Sequence, residues 1–386
     1  MSGEDGIHVI VVGAGFVGVT LADALVKRGA RVTMLAPSRE LEGASGTSYA
    51  WLNSHRKRPD IYQLLNQRAL EFWRDRFGPA HPDDVHWSGH VVALCDSANI
   101  DVLSERLEYL TSLGYAGSWC PRAQVERALP LHLPSGAVTA RFPSEGHCDP
   151  LPIWRSLVES LERSGRCRWE LGEAVGVHGP TITLRSGATI TGDRVVIAAG
   201  NGSSELLRTA GARLPMVSQE AGGPAWGFLA DIHVPAHGID FPVTTDNLNL
   251  RPTGPDSLLV QALDLDAAAG PDAPVDETLR RTYARRATAL LGREDVEVCE
   301  VRIGHRVIPA DGMTVAGPVD GSPKSALWTV VTHSGITLAP LLASLTAQEI
   351  VESALCAQLD DFRPTRFSKM GTADSDYSPP RRPGEQ

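Results

Sequence analysis

The chain has 386 residues, 42% hydrophobic and 21% charged, with a formal net charge of −10 at pH 7. That length suits one large domain or two intertwined ones with a sizeable core, and the acidic balance argues against nucleic acid as a partner, which would need a clustered basic surface. The polar, acidic start MSGEDG is unlike a signal or transit peptide, and no apolar run reaches the roughly 18 residues of a membrane span, so the expected location is cytoplasmic.

Ile7 to Val12 is a short β-branched run of the kind that forms a buried parallel strand. Gly13, Ala14, Gly15, Phe16, Val17 and Gly18 follow, then a helical stretch from Val19 to Arg28 that Gly29 ends. Arg31 to Leu35 completes a strand–helix–strand unit. Helices are predicted over Ile61 to Arg76 and Ile100 to Leu113, with Val85 to Leu94 as a strand between them. Pro150 to Ser164 reads as an amphipathic helix, and Arg168 to Gly172, Thr181 to Leu184 and Arg194 to Ala199 as strands. From Val217 to Glu300 the pattern changes to strand-like pieces, Trp226 to Leu229, Asn247 to Arg251 and Ser257 to Ala262, then an acidic loop from Leu263 to Glu277. Leu327 to Val331 and a helix from Ile336 to Leu355 restore the nucleotide-type pattern.

The expected fold is therefore α/β, a Rossmann-type domain with an inserted, mainly antiparallel α+β substrate domain. Nucleotide-binding segments 1–80, 151–216 and 301–366 alternate with substrate segments 81–150 and 217–300. The Pro-, Ser- and charge-rich end, taken from residue 367, reads as a disordered tail.

The six cysteines lack any C-x-x-C pair, which suits reduced thiols better than disulfides or zinc. His86/His90 and His233/His237 fall four apart, but WSG and VPA between them oppose the helix that would bring them together, so no metal is expected.

G-x-G-x-x-G carries weight only in context, and here a strand precedes it and a helix follows. Gly13 permits the tight turn, Gly15 lets backbone approach a pyrophosphate, and Gly18 allows close helix–strand packing. The helix N-terminus then offers N–H groups and partial positive charge to phosphate. An acid normally ends the second strand, against the ribose hydroxyls. Here the position is Ala36. Arg39 beyond it would suit the 2′-phosphate of NADP, whereas Ser38 or Glu40 would replace the acid in another dinucleotide site.

Several separated motifs resemble the FAD-dependent amine oxidoreductases of the D-amino-acid oxidase, glycine oxidase and sarcosine oxidase type, over about residues 7 to 360. Gly43-Ala44-Ser45-Gly46-Thr47-Ser48 resembles the family's second FAD loop. Val195 to Gly200 resembles the late strand that ends in glycine beside the cofactor. Gly304-His305-Arg306 leading to Asp311-Gly312 is similar to its G-x-R-P…D-G stretch, with Val307 in place of proline. His333-Ser334-Gly335-Ile336-Thr337 resembles the C-terminal turn whose backbone donors meet the flavin pyrimidine.

The resemblance implies non-covalent FAD. Its expected contacts are Gly13, Ala14, Gly15, Phe16, Val17, Gly18, Ala36, Ser38, Ser45, Gly46, Thr47, Ser48, Val175, Ala199, Gly200, Arg306, His333, Gly335, Ile336 and Thr337. It also implies that a small amine or amino acid loses a hydride to flavin N5, giving an imine, with oxygen or another acceptor taking the electrons. An arginine fork matches a substrate carboxylate; Arg306 and Arg251 are the candidates, with Tyr49 and Trp51 as walls of the site. Lysine is scarce, and none lies in a flavin motif, so a lysine that activates oxygen is not expected. The alternatives are an NADP-dependent oxidoreductase and a flavin-binding protein without turnover.

Overall fold

The computed structural model describes residues 6–368. Its first sheet has six strands, in the order Val315–Pro318, Leu327–Val331, Arg194–Ile197, β1 (His8–Val12), β2 (Arg31–Ala36) and Cys167–Leu171. Every pairing is parallel except that of the edge strand Val315–Pro318. The apolar run of β1 follows from this position, because both faces of the sheet are covered. Val9 and Val11 pack with Phe16 and Val19 of α1 (Phe16–Lys27) and with Leu338 of the C-terminal helix Gly335–Glu352. Ile10 and Val12 point the other way, into a cluster with Ile197, Ile182 and Leu206. Alternate side chains of a strand face opposite sides, so one five-residue strand seeds two cores.

The second large sheet has eight strands, in the order Glu297–His305, Trp226–His233, Ser257–Gln261, Asn249–Gly254, Val243–Thr245, His90–Leu94, Val138–Phe142 and Ser118–Cys120. Its pairings are antiparallel except that of Val243–Thr245 with His90–Leu94. Its last strand in sequence, Glu297–His305, leads the chain back to the first sheet. The α/β expectation with a mainly antiparallel second unit holds.

Three local readings change. Val85 to Leu94 is two strands, because Gly89 adopts a left-handed φ of 87° and turns the chain. Val85–His86 pairs with Gly146–Cys148 in a small sheet that also holds Trp51–Leu52, while His90–Leu94 joins the large sheet. A helix at Glu277–Leu291 closes the second core through Tyr283 and Ala287. Its signals were present: the Asp276 carboxylate accepts from Leu279 N–H at 2.9 Å, and Gly292 caps the far end with φ 63°. The run of acids before it masked them. Finally, residues 367 and 368 belong to the folded part rather than to a tail, because Phe367 is buried within a short helical turn, Pro364–Ser368. The rest of the predicted tail lies outside the described residues. Among the described residues no helix is long and apolar enough to cross a membrane.

Candidate active site

The glycine fingerprint is a fitted cradle. A Cβ on Gly18 would lie 2.0 Å from the Gly13 carbonyl oxygen, and one on Gly13 would lie 2.4 Å from that of Ala198. Close backbone approach therefore packs the first turn against the end of the Arg194–Ile197 strand, bringing Ala199 and Gly200 (φ 57°) beside it. Gly15 is the N-cap of α1 and supplies no side-chain cap. The first intrahelical bond runs from Val19 N–H to Gly15 C=O at 3.0 Å, leaving the amides of Phe16, Val17 and Gly18 at the open end. Ser45, from the second loop, accepts from Phe16 N–H at 3.0 Å, so two expected cofactor loops meet at one helix head.

The C-terminal helix presents a second open head at the same place. A Cβ on Gly335 would touch the Val17 side chain at 3.8 Å, Ser334 provides no side-chain cap, and Leu338 N–H bonds back to Ser334 C=O at 2.8 Å. The amides of Gly335, Ile336 and Thr337 thus lack helical acceptors. Two adjacent helix N-termini, with their partial positive charge, suit a pyrophosphate and an electron-rich ring. Loop Gly43–Ser48 is braced from the eight-stranded sheet: Arg302 donates to Gly46 C=O at 3.0 Å, and Gly304 faces Thr47. Thr47 hydroxyl donates to Gly43 C=O, and Ser48 hydroxyl accepts from Ala50 N–H, both at 3.0 Å.

At the adenosine end, Ala36 is buried and its carbonyl accepts from Gly172 N–H at 2.9 Å. Ser38 hydroxyl donates to Glu42 at 2.9 Å. Val175 is exposed at a register irregularity between Ala174 and Gly176, which leaves it out of the ladder. Arg39 pairs with Glu162 at 3.0 Å and lies over the Trp169 ring.

The arginines expected to face substrate are both occupied. Arg251 is buried, donating to Tyr49 C=O, to Asp149 at 3.1 Å and to Pro252 C=O at 3.0 Å. The expectation of a substrate contact at Arg251 gives way to a tether: its charge is neutralised, and it fixes the backbone that carries Tyr49. Arg306 donates to the Asp266 carboxylate and, at 2.7 Å, to Trp226 C=O. Asp266 in turn accepts from Phe228 N–H at 2.9 Å. Beside this pair the His305 ring stacks on Trp226 with centroids 3.9 Å apart and engages Gln219.

Trp51 is anchored to the C-terminal helix, because Thr337 hydroxyl donates to its carbonyl at 3.1 Å. Its ring packs on His90 at 4.4 Å, and the Arg56 guanidinium lies 5.1 Å from its centroid. Behind Trp51 is a buried polar cluster assembled from segments far apart in the chain. Glu145 Oε1 accepts from His55 Nδ1 at 2.8 Å, from Tyr115 hydroxyl at 2.7 Å, and from the amides of Ser54 and His55 at 3.2 Å. His90 Nε2 meets Thr244 hydroxyl at 3.0 Å, and its Nδ1 faces the other carboxylate oxygen at 3.4 Å. Burial raises the Glu145 carboxyl's pKa, but these donors outweigh it and keep the group ionised. Burial also holds both imidazoles neutral.

Ligand atoms of His55, His90 and Glu145 lie within 4.8 Å of one another, close enough for a metal. Hydrogen-bond donors already fill Glu145 Oε1, so a metal there would have to bind through the other carboxylate oxygen. The spaced histidine pairs do not converge: His86 stacks on His147 and lies in the other sheet from His90. His237 has both ring nitrogens engaged, with Gly254 C=O and Ile239 N–H.

His333, just before the C-terminal helix, is pushed down to a pKa of about 3 by burial, then by the nearby charges of Lys57 and Arg306. It is neutral at physiological pH. Lys57, on the loop between Trp51–Leu52 and the helix Asp60–Phe72, is itself lowered to about 8, by burial and by Arg56. The sequence placed no lysine at the flavin motifs. The fold does so by folding this loop against the head of the C-terminal helix.

Comparison with known proteins agrees with the geometry. A family model described as FAD dependent oxidoreductase (DAO) matches residues 8–349. The chain belongs to this family. A glycine oxidase of Pseudomonas aeruginosa is 26% identical over 88% of this chain and 93% of its own length. Among solved structures, glycine oxidase from Geobacillus kaustophilus superposes with a TM-score of 0.80 at 19% identity, covering 95% of this chain and all of that one. L-proline dehydrogenase from P. horikoshii gives 0.77 at 16% identity, with 95% and 98% covered. Family membership makes this protein an FAD-dependent oxidoreductase. It overturns the NADP alternative, for which Arg39 is in any case already paired with Glu162, and the alternative of a flavin-binding protein without turnover.

Proposed function

We propose that the protein oxidises the C–N bond of a small amino acid or secondary amine that carries a carboxylate. The supporting observation is the loop that carries Lys57, tied to the head of the C-terminal helix through Trp51 and Tyr62, which sets a cation with no ion-pair partner among the described residues within electrostatic reach of His333. An anionic substrate group is favoured there, whereas a simple aliphatic amine would be repelled. Two of the relatives, a glycine oxidase and an L-proline dehydrogenase, are named for a primary and a secondary amine, which fits this class.

FAD, when bound, supplies the hydride acceptor. The chain's own part is orientation and electrostatics. Gly13 to Gly18 and Ser45 would hold the pyrophosphate end, and the amides of Gly335 to Thr337 would stabilise negative charge on the flavin ring. Trp51 and Tyr49, fixed through Thr337 and Arg251, wall the substrate side. His333, neutral through burial, adds no competing cation there.

The test is anaerobic mixing of the flavin-loaded protein with glycine, sarcosine, proline, larger amino acids and their decarboxylated analogues. Bleaching by carboxylated amines and not by their decarboxylated analogues is expected; equal bleaching by both removes the substrate class. Readmitting oxygen then separates an oxidase from a dehydrogenase.

A further inference from the structure

Three arginines around the site are each compensated by a carboxylate. Arg306 carries Asp266, Arg251 carries Asp149, and Arg302 carries Asp231 at 2.7 Å. Each pair brings its own counter-charge, so none of these arginines offers a net positive charge to an incoming anion. Lys57 differs. Among the described residues it forms no ion pair, and its nearest charged neighbours in effect are Arg56 and, more weakly, Glu145. Glu145 is already surrounded by its own donors.

The loop that carries Lys57 is held against the site at both ends. Trp51 C=O accepts from Thr337 at its start, and Tyr62 hydroxyl donates to Ser334 at 3.2 Å beyond its end. The segment therefore frames the head of the C-terminal helix, and His333 feels Lys57 ahead of Arg306.

We propose that Lys57 is the anchor for the substrate's carboxylate, in place of the arginine of the G-x-R stretch. The assignment rests on the amino-acid reading above and names the residue that executes it. An ammonium on a flexible stem, half-buried and without a counter-ion, gains a partner when a carboxylate arrives. The guanidinium of Arg306 would first have to surrender Asp266. The charges that act on Lys57 are those of Arg56 and Glu145, and Lys57 acts in turn, together with Arg306, on His333. The neutral imidazole leaves Lys57 as the group that titrates in the mildly alkaline range.

The experiment uses the flavin-loaded enzyme and reads ligand binding from the flavin absorption spectrum, without turnover. Acetate and propionate are the probes, acetamide and propionamide their neutral controls, and wild type, Lys57→Met and Lys57→Arg are compared at equal flavin content. We expect Lys57→Met to weaken carboxylates at least about tenfold and to leave the amides unchanged, while Lys57→Arg retains carboxylate binding. Wild-type carboxylate affinity should fall by about tenfold per pH unit above the amine's pKa, and Lys57→Met should lack that limb. Equal carboxylate binding by wild type and Lys57→Met overturns the assignment, as does a Lys57→Met variant impaired only in reoxidation of the reduced flavin. A wild type that prefers amides to carboxylates overturns the amino-acid reading itself, a different result from the loss of the Lys57 effect alone.

Discussion

Replacing Asp266 by Asn should convert Arg306 from a compensated cation into an open anion site. The variant keeps the side chain's shape, and its amide oxygen can still accept from Phe228 N–H. It loses the negative charge that Arg306 meets. The Asp266 side chain is 7% exposed and that of Arg306 23%, so the pair lies between the surface case, worth up to about 1 kcal/mol, and the buried case, about 3–5 kcal/mol. A stability loss of about 1–3 kcal/mol is expected from the urea midpoint. For binding, a carboxylate about 4 Å from an uncompensated guanidinium gains about 4 kcal/mol at an effective dielectric of 20. Desolvation removes part of this, leaving about 10–100-fold tighter carboxylate binding. Spectral titration with acetate, against acetamide, measures it. The pH dependence gives an independent check. Burial raises the Asp266 carboxyl above its usual range although Arg306 pulls it down. As pH falls through that raised value the acid becomes neutral and its compensation of Arg306 disappears. Wild-type affinity for the anion should therefore rise on acidification, while Asp266→Asn stays flat. A variant that is destabilised yet binds acetate no better than wild type would show that ligands do not reach Arg306.

Gly18→Ala should sharply reduce flavin content, because its Cβ would lie 2.0 Å from a backbone oxygen and the first turn must move by about 1 Å to accept it; wild-type flavin stoichiometry on purification would contradict this. Glu145→Ala should strip the buried donors of His55, Ser54 and Tyr115 of their acceptor, at about 1–3 kcal/mol per orphaned group. A urea midpoint unchanged from wild type would show that the cluster does not hold the Trp51 region together. Acid precipitation should release the flavin into the supernatant, since no cysteine lies in 302–311 and His55 Nδ1 is bonded to Glu145; a yellow pellet would establish a covalent bond.

Local signals in the chain were enough for the fold of the nucleotide-type half and for the family. Gly13, Gly15 and Gly18 between an apolar strand and a helix, with Ser45 and Gly335 in their own short motifs, are read within a few residues. Their physical requirement, backbone approach and open amides, depends on local conformation. Local order also carried the α/β plan, through runs that cover both faces of β1. The substrate half was not legible in this way. Arg306 and Arg251 looked available because nothing near them in sequence announces Asp266 or Asp149, which lie 40 and 102 residues away and pair only across the folded domain. Lys57 looked incidental for the same reason, since its place beside His333 depends on contacts from Trp51 and Tyr62 to the far end of the chain. Glu145, His55 and His90 come from three distant segments and form one network only after both sheets have packed. Glycine spacing sets what the backbone can approach. Which charges remain uncompensated is decided by tertiary pairing, because Coulomb interactions follow distance in space.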